Sequence, residues 1–311
     1  MKRQIFVFLV VLGMVLGVRV YAADIYVPGS YTTIQAAIDA ATNGDRILVS
    51  DGTYTGTGNK NLSWSGKCIT VMSINGSDNC IIDCENSGRG FYFGDSGTIS
   101  VIYGFTIRNG YVAGDYVYGG GISCRSSSPS ITNCTIINCT VMGNYYGCGG
   151  GICCGLFSSP SIVNCNIIGN QALGGCGGGI YCADSSPSIT NCNIIENYSL
   201  TGGSGIHCEG GYSSPSITNC NIIGNRGGES AICRWKGSLA INYNNVWNNT
   251  PNNYSGCSPN IGNISSDPEF AGGSDYNLKP ISPCIDKGTN TAPGIPVTDK
   301  DGNPRIVNGI V

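Results

Sequence analysis

Between Ser128 and Ile223 one pattern of apolar and polar positions recurs four times without gaps. The copies are Ser128-Pro-Ser-Ile-Thr-Asn-Cys-Thr-Ile-Ile137, Ser159-Pro-Ser-Ile-Val-Asn-Cys-Asn-Ile-Ile168, Ser186-Pro-Ser-Ile-Thr-Asn-Cys-Asn-Ile-Ile195 and Ser214-Pro-Ser-Ile-Thr-Asn-Cys-Asn-Ile-Ile223. Apolar residues alternate with polar ones in Ile131/Asn133 and in Cys134/Ile136. Period two is the signature of strands, whose side chains point to opposite faces in turn. The runs are short and end at Gly or Asn, the residues that best tolerate the left-handed conformation of a sharp bend. A second motif alternates with the first: Gly-Gly-Gly-Ile122, Gly-Gly-Gly-Ile152, Gly-Gly-Gly-Ile180 and Gly-Ser-Gly-Ile206. Three short strands per copy, a bend after Asn133 and variable Gly-rich loops predict an all-β fold, a parallel β-helix or solenoid with three-strand coils. Neither the Leu spacing of a leucine-rich repeat nor the longer strands of a propeller blade is present. Stacked coils lie about 4.8 Å apart. Asn133, Asn164, Asn191 and Asn219 are therefore expected to form an amide ladder, each side chain bonding its neighbour.

The pattern changes at both ends. Degenerate copies extend it upstream through Tyr103-Gly-Phe-Thr-Ile-Arg-Asn109 and downstream through Tyr243-Asn-Asn-Val-Trp-Asn-Asn249. Ile34, Ala37, Ile38 and Ala41 follow helical spacing, and Asn43-Gly44 is a helix stop. This N-terminal helix is expected to cap the open end of the first coil, which would otherwise expose apolar surface and strand edges. Lys2 and Arg3, an apolar run to Val18 and a small-residue end at Ala22-Ala23 describe a secretory signal peptide over 1–22. The β-helix with its cap is expected over 23–249. Residues 250–311 lose the repeat, gain Pro and Asp, and read as a distal cap or an outward linker, in a chain that is a candidate for truncation.

Composition narrows the function classes. Gly is 48 of 311 residues, roughly twice its usual share. Charged residues are only 11% and the formal net charge is −3. Without Lys2, Arg3 and Arg19, 13 basic residues face 19 acidic ones, a net charge of −6. Nucleic acid is therefore excluded as a partner, because binding it requires a basic patch. No segment after the leader is apolar and long enough to span a membrane. The expectation is an exported monomer, secreted or at the cell surface.

These residues resemble the right-handed parallel β-helix, or pectate-lyase-like, superfamily. Asp24-Ile-Tyr-Val-Pro-Gly, Ile34-Gln-Ala-Ala-Ile-Asp-Ala-Ala and Gly44-Asp-Arg-Ile-Leu-Val-Ser-Asp-Gly-Thr-Tyr54 are similar to its entry strand and capping helix. Gly-Gly-Gly-Ile with Ile167-Ile-Gly-Asn170, Ile194-Ile-Glu-Asn197 and Ile222-Ile-Gly-Asn225 resembles the repeats of polymorphic outer-membrane proteins, with Ile where those have Phe. Asp267-Pro-Glu-Phe and Asp275-Tyr-Asn-Leu-Lys-Pro-Ile-Ser-Pro-Cys-Ile-Asp286 resemble the tail of secreted bacterial β-helix proteins. The resemblance implies the fold. It leaves function open, because one fold hosts many activities.

Cysteine usage follows the repeat. Cys134, Cys165, Cys192 and Cys220 share one repeat position, and Cys124, Cys154, Cys182 and Cys208 share another. In-register Cβ atoms one rung apart exceed the usual disulfide distance, which favours stacked buried thiols. Bridges are expected instead among Cys68, Cys80, Cys84, Cys257 and Cys284, outside the regular coils. Cys80-x3-Cys84 has no matching second pair, so no metal or other cofactor is expected; Ca2+ would enter only with lyase chemistry.

No catalytic signature stands out. Gly-His-Gly, clustered aspartates and the calcium-binding Gly-Gly-x-Gly-x-Asp repeat are all missing. One column nevertheless carries candidate chemistry. Ser123, Cys153, Tyr181 and His207 lie between the inward Ile and Cys of successive Gly-rich strands and should point outward. His207 is the only histidine, and Glu209, Arg125 and Asp184 lie just past the strand ends. Tyr181 and His207, helped by Glu209, suit a base and an acid, and Arg125 or Arg234 a carboxylate clamp. On a solvated strand face the same column would do nothing. Tyr116, Tyr118, Tyr145, Tyr146 and Tyr198 sit in the loops before the Gly-rich strands, where aromatic rings can pack on sugar faces. Simple cover for loop backbone is the alternative. The primary functional expectation is a non-catalytic surface that binds polysaccharide or another cell-surface partner. A polysaccharide lyase or glycoside hydrolase using the His207 face comes second, and an adhesin for a protein receptor third.

Overall fold

The computed structural model describes residues 22–94, 100–273, 275–299 and 302–304. The signal-peptide expectation concerns 1–22, of which 1–21 lie outside the described residues. The architecture is a parallel β-solenoid of three long sheets. Sheet A has nine strands, and sheets B and C have eight each. A representative coil runs through Ser161–Val163 in sheet A, Asn166–Ile168 in sheet B and Ile180–Ala183 in sheet C. Each strand pairs in register with its equivalents one coil away, as in Ile131↔Ile162↔Ile189↔Ile217.

Period-two alternation places one face of every sheet inside the coil. Ile131, Ile162, Ile189 and Ile217 from sheet A, Ile136, Ile167, Ile194 and Ile222 from sheet B, and Ile122, Ile152, Ile180 and Ile206 from sheet C are all fully buried. Burying each such side chain contributes roughly 1.5–3 kcal/mol, repeated at every rung. The bend between sheets A and B is made by Asn133, Asn164, Asn191 and Asn219, with φ of 53–55°. Asn is the non-glycine residue that accepts this conformation most readily. The helix Ile34–Ala40, N-capped by the Thr33 side chain, buries Ile34, Ala37 and Ile38 against the first coil.

The asparagine ladder is not where it was expected. Asn191 has no amide partner, and Asn133 donates to the Tyr103 hydroxyl. Asn164 and Asn219 bond the returning C-terminal segment rather than one another. Rung-to-rung amide bonds run instead through Asn170, Asn197 and Asn225, the last residues of the Ile-Ile-x-Asn motifs, and Asn249 of Val246-Trp-Asn-Asn249. There each Nδ2 donates to the next Oδ1 at 3.0 Å and to a carbonyl inside the coil at 2.9–3.0 Å. These four residues are at most 8% exposed.

One further expectation needs correction. Cys80 and Cys84 are thiols buried in the core of the proximal coils, whereas Cys257 and Cys284 are thiols at the distal end. Proximal and distal thiols are separated by most of the solenoid and cannot bridge. The C-terminal segment folds back on the coils. A hairpin of Phe270–Gly272 and Asp275–Leu278 places Phe270 and Tyr276 over the outward stripe Ile168, Ile195 and Ile223. The chain then travels back along the A–B bend. Thr289 exchanges two 2.9 Å bonds with Asn219, Thr190 donates to Pro293 O, and Asn164 donates to Thr298 O. No helix among the described residues is long and apolar enough to cross a membrane.

Candidate functional site

The structure adds a fourth layer that the repeat did not announce. Strands Tyr111–Tyr118, Thr140–Cys148, Gln171–Ala172, Tyr198–Ser199 and Arg226–Gly227 form a parallel sheet D between sheets B and C. Its strands and the Gly-rich loops after them fold over the outer face of sheet C. The column Ser123↔Cys153↔Tyr181↔His207↔Cys233 is in register and points outward as expected. It is not solvated. Ser123, His207 and Cys233 are 0% exposed, Cys153 2% and Tyr181 3%. Tyr181 and Cys153 join Cys148 and Cys176 in a second apolar cluster, with Tyr118 and Tyr146 packed on it.

Within that cluster the structure brings together three of the four catalytic candidates. Tyr181 and His207 stack on adjacent rungs, with ring centroids 5.9 Å apart and 4° between planes. Tyr181 donates a short hydrogen bond to Glu209 Oε1, and Tyr146 donates to Oε2 at 3.1 Å. His207 Nε2 lies 3.5 Å from the same Oε2 without a hydrogen-bond alignment. Burial pushes the Glu209 carboxyl up, but His207, Tyr181 and Tyr146 outweigh this and hold it below its ordinary value. Burial also raises the phenols of Tyr181 and Tyr146, so both remain protonated donors. Burial works against a charged His207, while Cys176, Cys233 and Glu209 act in the opposite sense and prevail, raising its pKa. Gly203 N–H approaches Nδ1 at 3.2 Å, a hydrogen bond that only the neutral, Nε2-protonated ring can accept.

Gly202 shows how tightly the cluster closes. Its φ is +60°, and a Cβ there would lie 2.5 Å from His207 Nδ1 and 2.9 Å from Cys176 Sγ. Cys176 N–H donates to Cys148 Sγ at 3.1 Å. A hydrogen bond from the Cys148 thiol, opposed by burial and helped by His207, lowers Cys176 to about 5. Trp235 closes the distal side, edge-on to His207 at 4.5 Å and anchored by its indole N–H to Glu229. Cys–His–Glu and Tyr–Glu–His chains are thus both present; Cys176, His207 and Tyr181 are buried within them, while the Glu209 side chain is 25% exposed at their edge. Among the described residues no group of three or more His, Cys, Asp or Glu side chains is placed to hold a metal.

Arg125 is not part of this assembly. It sits three rungs from Glu209, about 14 Å along the axis, with its guanidinium 5.8 Å from the Tyr118 ring centre. Arg234 bonds the carbonyl of Gly256, and Asp184 lies at the far corner, accepting from Tyr212 N–H. The tyrosine candidates also separate. Tyr118 and Tyr146 turn inward against Tyr181, at 6.3 Å each. Tyr116 is 68% exposed on sheet D. The Tyr145 side chain lies outside the described residues.

Tyr198 is different. Gln171, Tyr198 and Arg226 occupy one register column on the solvent side of sheet D, and all three are exposed. With Leu173 and Glu196 they line an open cleft of about 420 Å³. The Tyr198 ring lies against Gly227, where a Cβ would come within 2.8 Å of it. Gln171 and Arg226 escaped notice in the sequence, although a signal was there. Gln171, Tyr198 and Arg226 each follow directly on the buried ladder Asn of their coil.

A family model described as a right handed beta helix region matches residues 68–255. The chain belongs to that family. A search among curated proteins gave no match. Among solved structures a pectate lyase superimposes with a TM-score of 0.48 at 13% identity, over 89% of this chain and 94% of its own. A pectin methylesterase from Aspergillus niger gives 0.48 at 15% identity, over 79% and 86%. The pectin methylesterase from carrot gives 0.40 at 12% identity, over 78% and 88%. At these identities the likeness concerns the fold alone.

Proposed function

We propose that this β-helix is an exported, non-catalytic protein that binds polysaccharide through the outer edge of its fourth sheet. One observation carries the reading. His207 and Tyr181, the base and acid candidates, are buried, while Tyr198 lies in an open cleft with an amide, a carboxylate and a guanidinium. An aromatic ring that meets the C–H face of a sugar, with polar groups around it for the hydroxyls, is the chemistry a glycan needs. A lyase or hydrolase at His207 would require substrate to reach Nε2, an atom covered by Glu209, Trp235 and the Gly202 loop. The protein would be passed over columns of polygalacturonate, xylan, glucomannan and cellulose while unsaturated uronides and reducing ends are followed. Retention on one of the four, weakened by Tyr198→Ala and by Arg226→Ala and with no product formed, is the expected result. Product from any of them would overturn the non-catalytic reading and make His207→Ala the next variant. A protein receptor becomes the alternative if none of the four retains the protein.

A further inference from the structure

The corner joining sheet C to sheet A is built to a template. In its shortest form one left-handed residue is followed by two serines and the proline, as in Ser126-Ser-Ser-Pro129 and Asp184-Ser-Ser-Pro187. The first serine of the pair is buried on every coil, as Ser127, Ser158, Ser185 and Ser213. Ser127 and Ser158 donate their hydroxyls to carbonyls one coil back, Phe93 O and Cys124 O. Two coils depart from the template, each between the left-handed residue and this serine. One adds Phe157 and the other adds Gly211-Tyr212. Phe157 is 70% exposed and Tyr212 77%. No turn requires these rings, since the intervening coil closes without them.

Both insertions are held in place. Leu156 and Phe157 are consecutive left-handed residues, with φ of 53° and 63°. That conformation is costly for bulky side chains and clusters at ligand-binding positions. The short corner between them fixes both loops, since Phe157 N–H donates to Asp184 O at 3.1 Å and Tyr212 N–H donates to Asp184 Oδ1 at 3.3 Å. The rings come together above that corner, with centroids 6.1 Å apart and planes at 57°. In solenoids, insertions into individual repeats gather on one face, often the binding face.

We infer that Phe157, Tyr212 and Asp184 form a second glycan-binding edge, on the opposite side of sheet C from the Tyr198 cleft. Although the two insertions start two rungs apart, their rings lean together to 6.1 Å and form one continuous exposed aromatic patch. An exposed aromatic patch beside a carboxylate suits a sugar chain that offers C–H faces and hydroxyls. The inference rests on the polysaccharide reading above and extends it to a protein with two separate contact edges.

The test compares Phe157→Ala/Tyr212→Ala with Tyr198→Ala/Arg226→Ala on the same four columns, with thermal melts to confirm folding. On whichever polysaccharide retains the wild type, the corner variant is expected to weaken retention at least about tenfold, a common result for losing exposed aromatic anchors. Phe157→Tyr with Tyr212→Phe is expected to retain normally. Wild-type retention by the corner variant overturns the inference; if the cleft variant is then lost from the column, the polysaccharide reading stands. Loss by the corner variant alone supports the inference and removes the Tyr198 cleft from the reading. A wild type retained on none of the four overturns both.

Discussion

The two faces of sheet C are equally dry and chemically unlike. Inward, Ile180, Cys182, Ile206 and Cys208 are 0% exposed and pack against other apolar side chains. Outward on the same strands, Tyr181 and His207 are as well enclosed, yet they belong to a polar network with Glu209, Tyr146 and Cys176. The inner face is closed by the coil itself, in the same way at every rung. The outer face is closed by segments that do not repeat: Thr140–Cys148, the Gly202 loop and Trp235. Pointing outward therefore does not mean meeting solvent, and a column with catalytic residue types can serve as a second, polar core.

Truncating the inner face should have the largest effect. Ile206→Ala is expected to cost about 2–5 kcal/mol, read as a lower urea midpoint. His207→Ala on the outer face should cost less, about 1–3 kcal/mol, because it strips Gly203 N–H and Glu209 of a partner without opening the coil. It should leave polysaccharide retention unchanged. Glu209→Gln tests the network by pH. The Glu209 carboxyl is held below its ordinary 4.5, so its stabilisation is full above that value and is lost as pH falls through the lower folded value. Melting temperatures of wild type and Glu209→Gln should therefore differ most near neutrality and converge in acid. Convergence absent at low pH would remove Glu209 from the network. Tyr198→Ala should shift stability by no more than about 0.5 kcal/mol while reducing glycan retention. Equal stability losses for Tyr198→Ala and His207→Ala would erase the distinction between open edge and sealed face.

The fold was legible because its causes are local. Alternating Ile and Cys set the strands, and Asn133 and its equivalents set the bend. The ladder was misplaced because two columns of Asn recur in the same coils. What separates them is the partner: Asn164 and Asn219 bond the returning C-terminal segment, whereas the Asn170 column bonds from rung to rung. The outward column was read correctly as a column. Its burial was not, because the cover comes from loops whose lengths differ from coil to coil. Cys148 and Cys176 were invisible as a pair for the same reason. Phe157 and Tyr212 were legible only as departures from a template, once the shared Ser had been aligned in three dimensions.

Accessibility of the outward thiols tests the central claim most directly. Native protein would be exposed to iodoacetamide and each cysteine followed by mass spectrometry over time. The Cys176 thiol, lowered by its hydrogen bond from Cys148 and by His207, favours rapid reaction wherever reagent can reach it. If the outer face is a sealed core, Cys153, Cys176 and Cys233 should stay as protected as Cys154, Cys182 and Cys208, while the half-buried Cys68, Cys257 and Cys284 label before any of them. Rapid labelling of Cys153, Cys176 and Cys233 with the inner thiols silent would contradict that account. It would return the His207 face to solvent, and catalysis there to consideration.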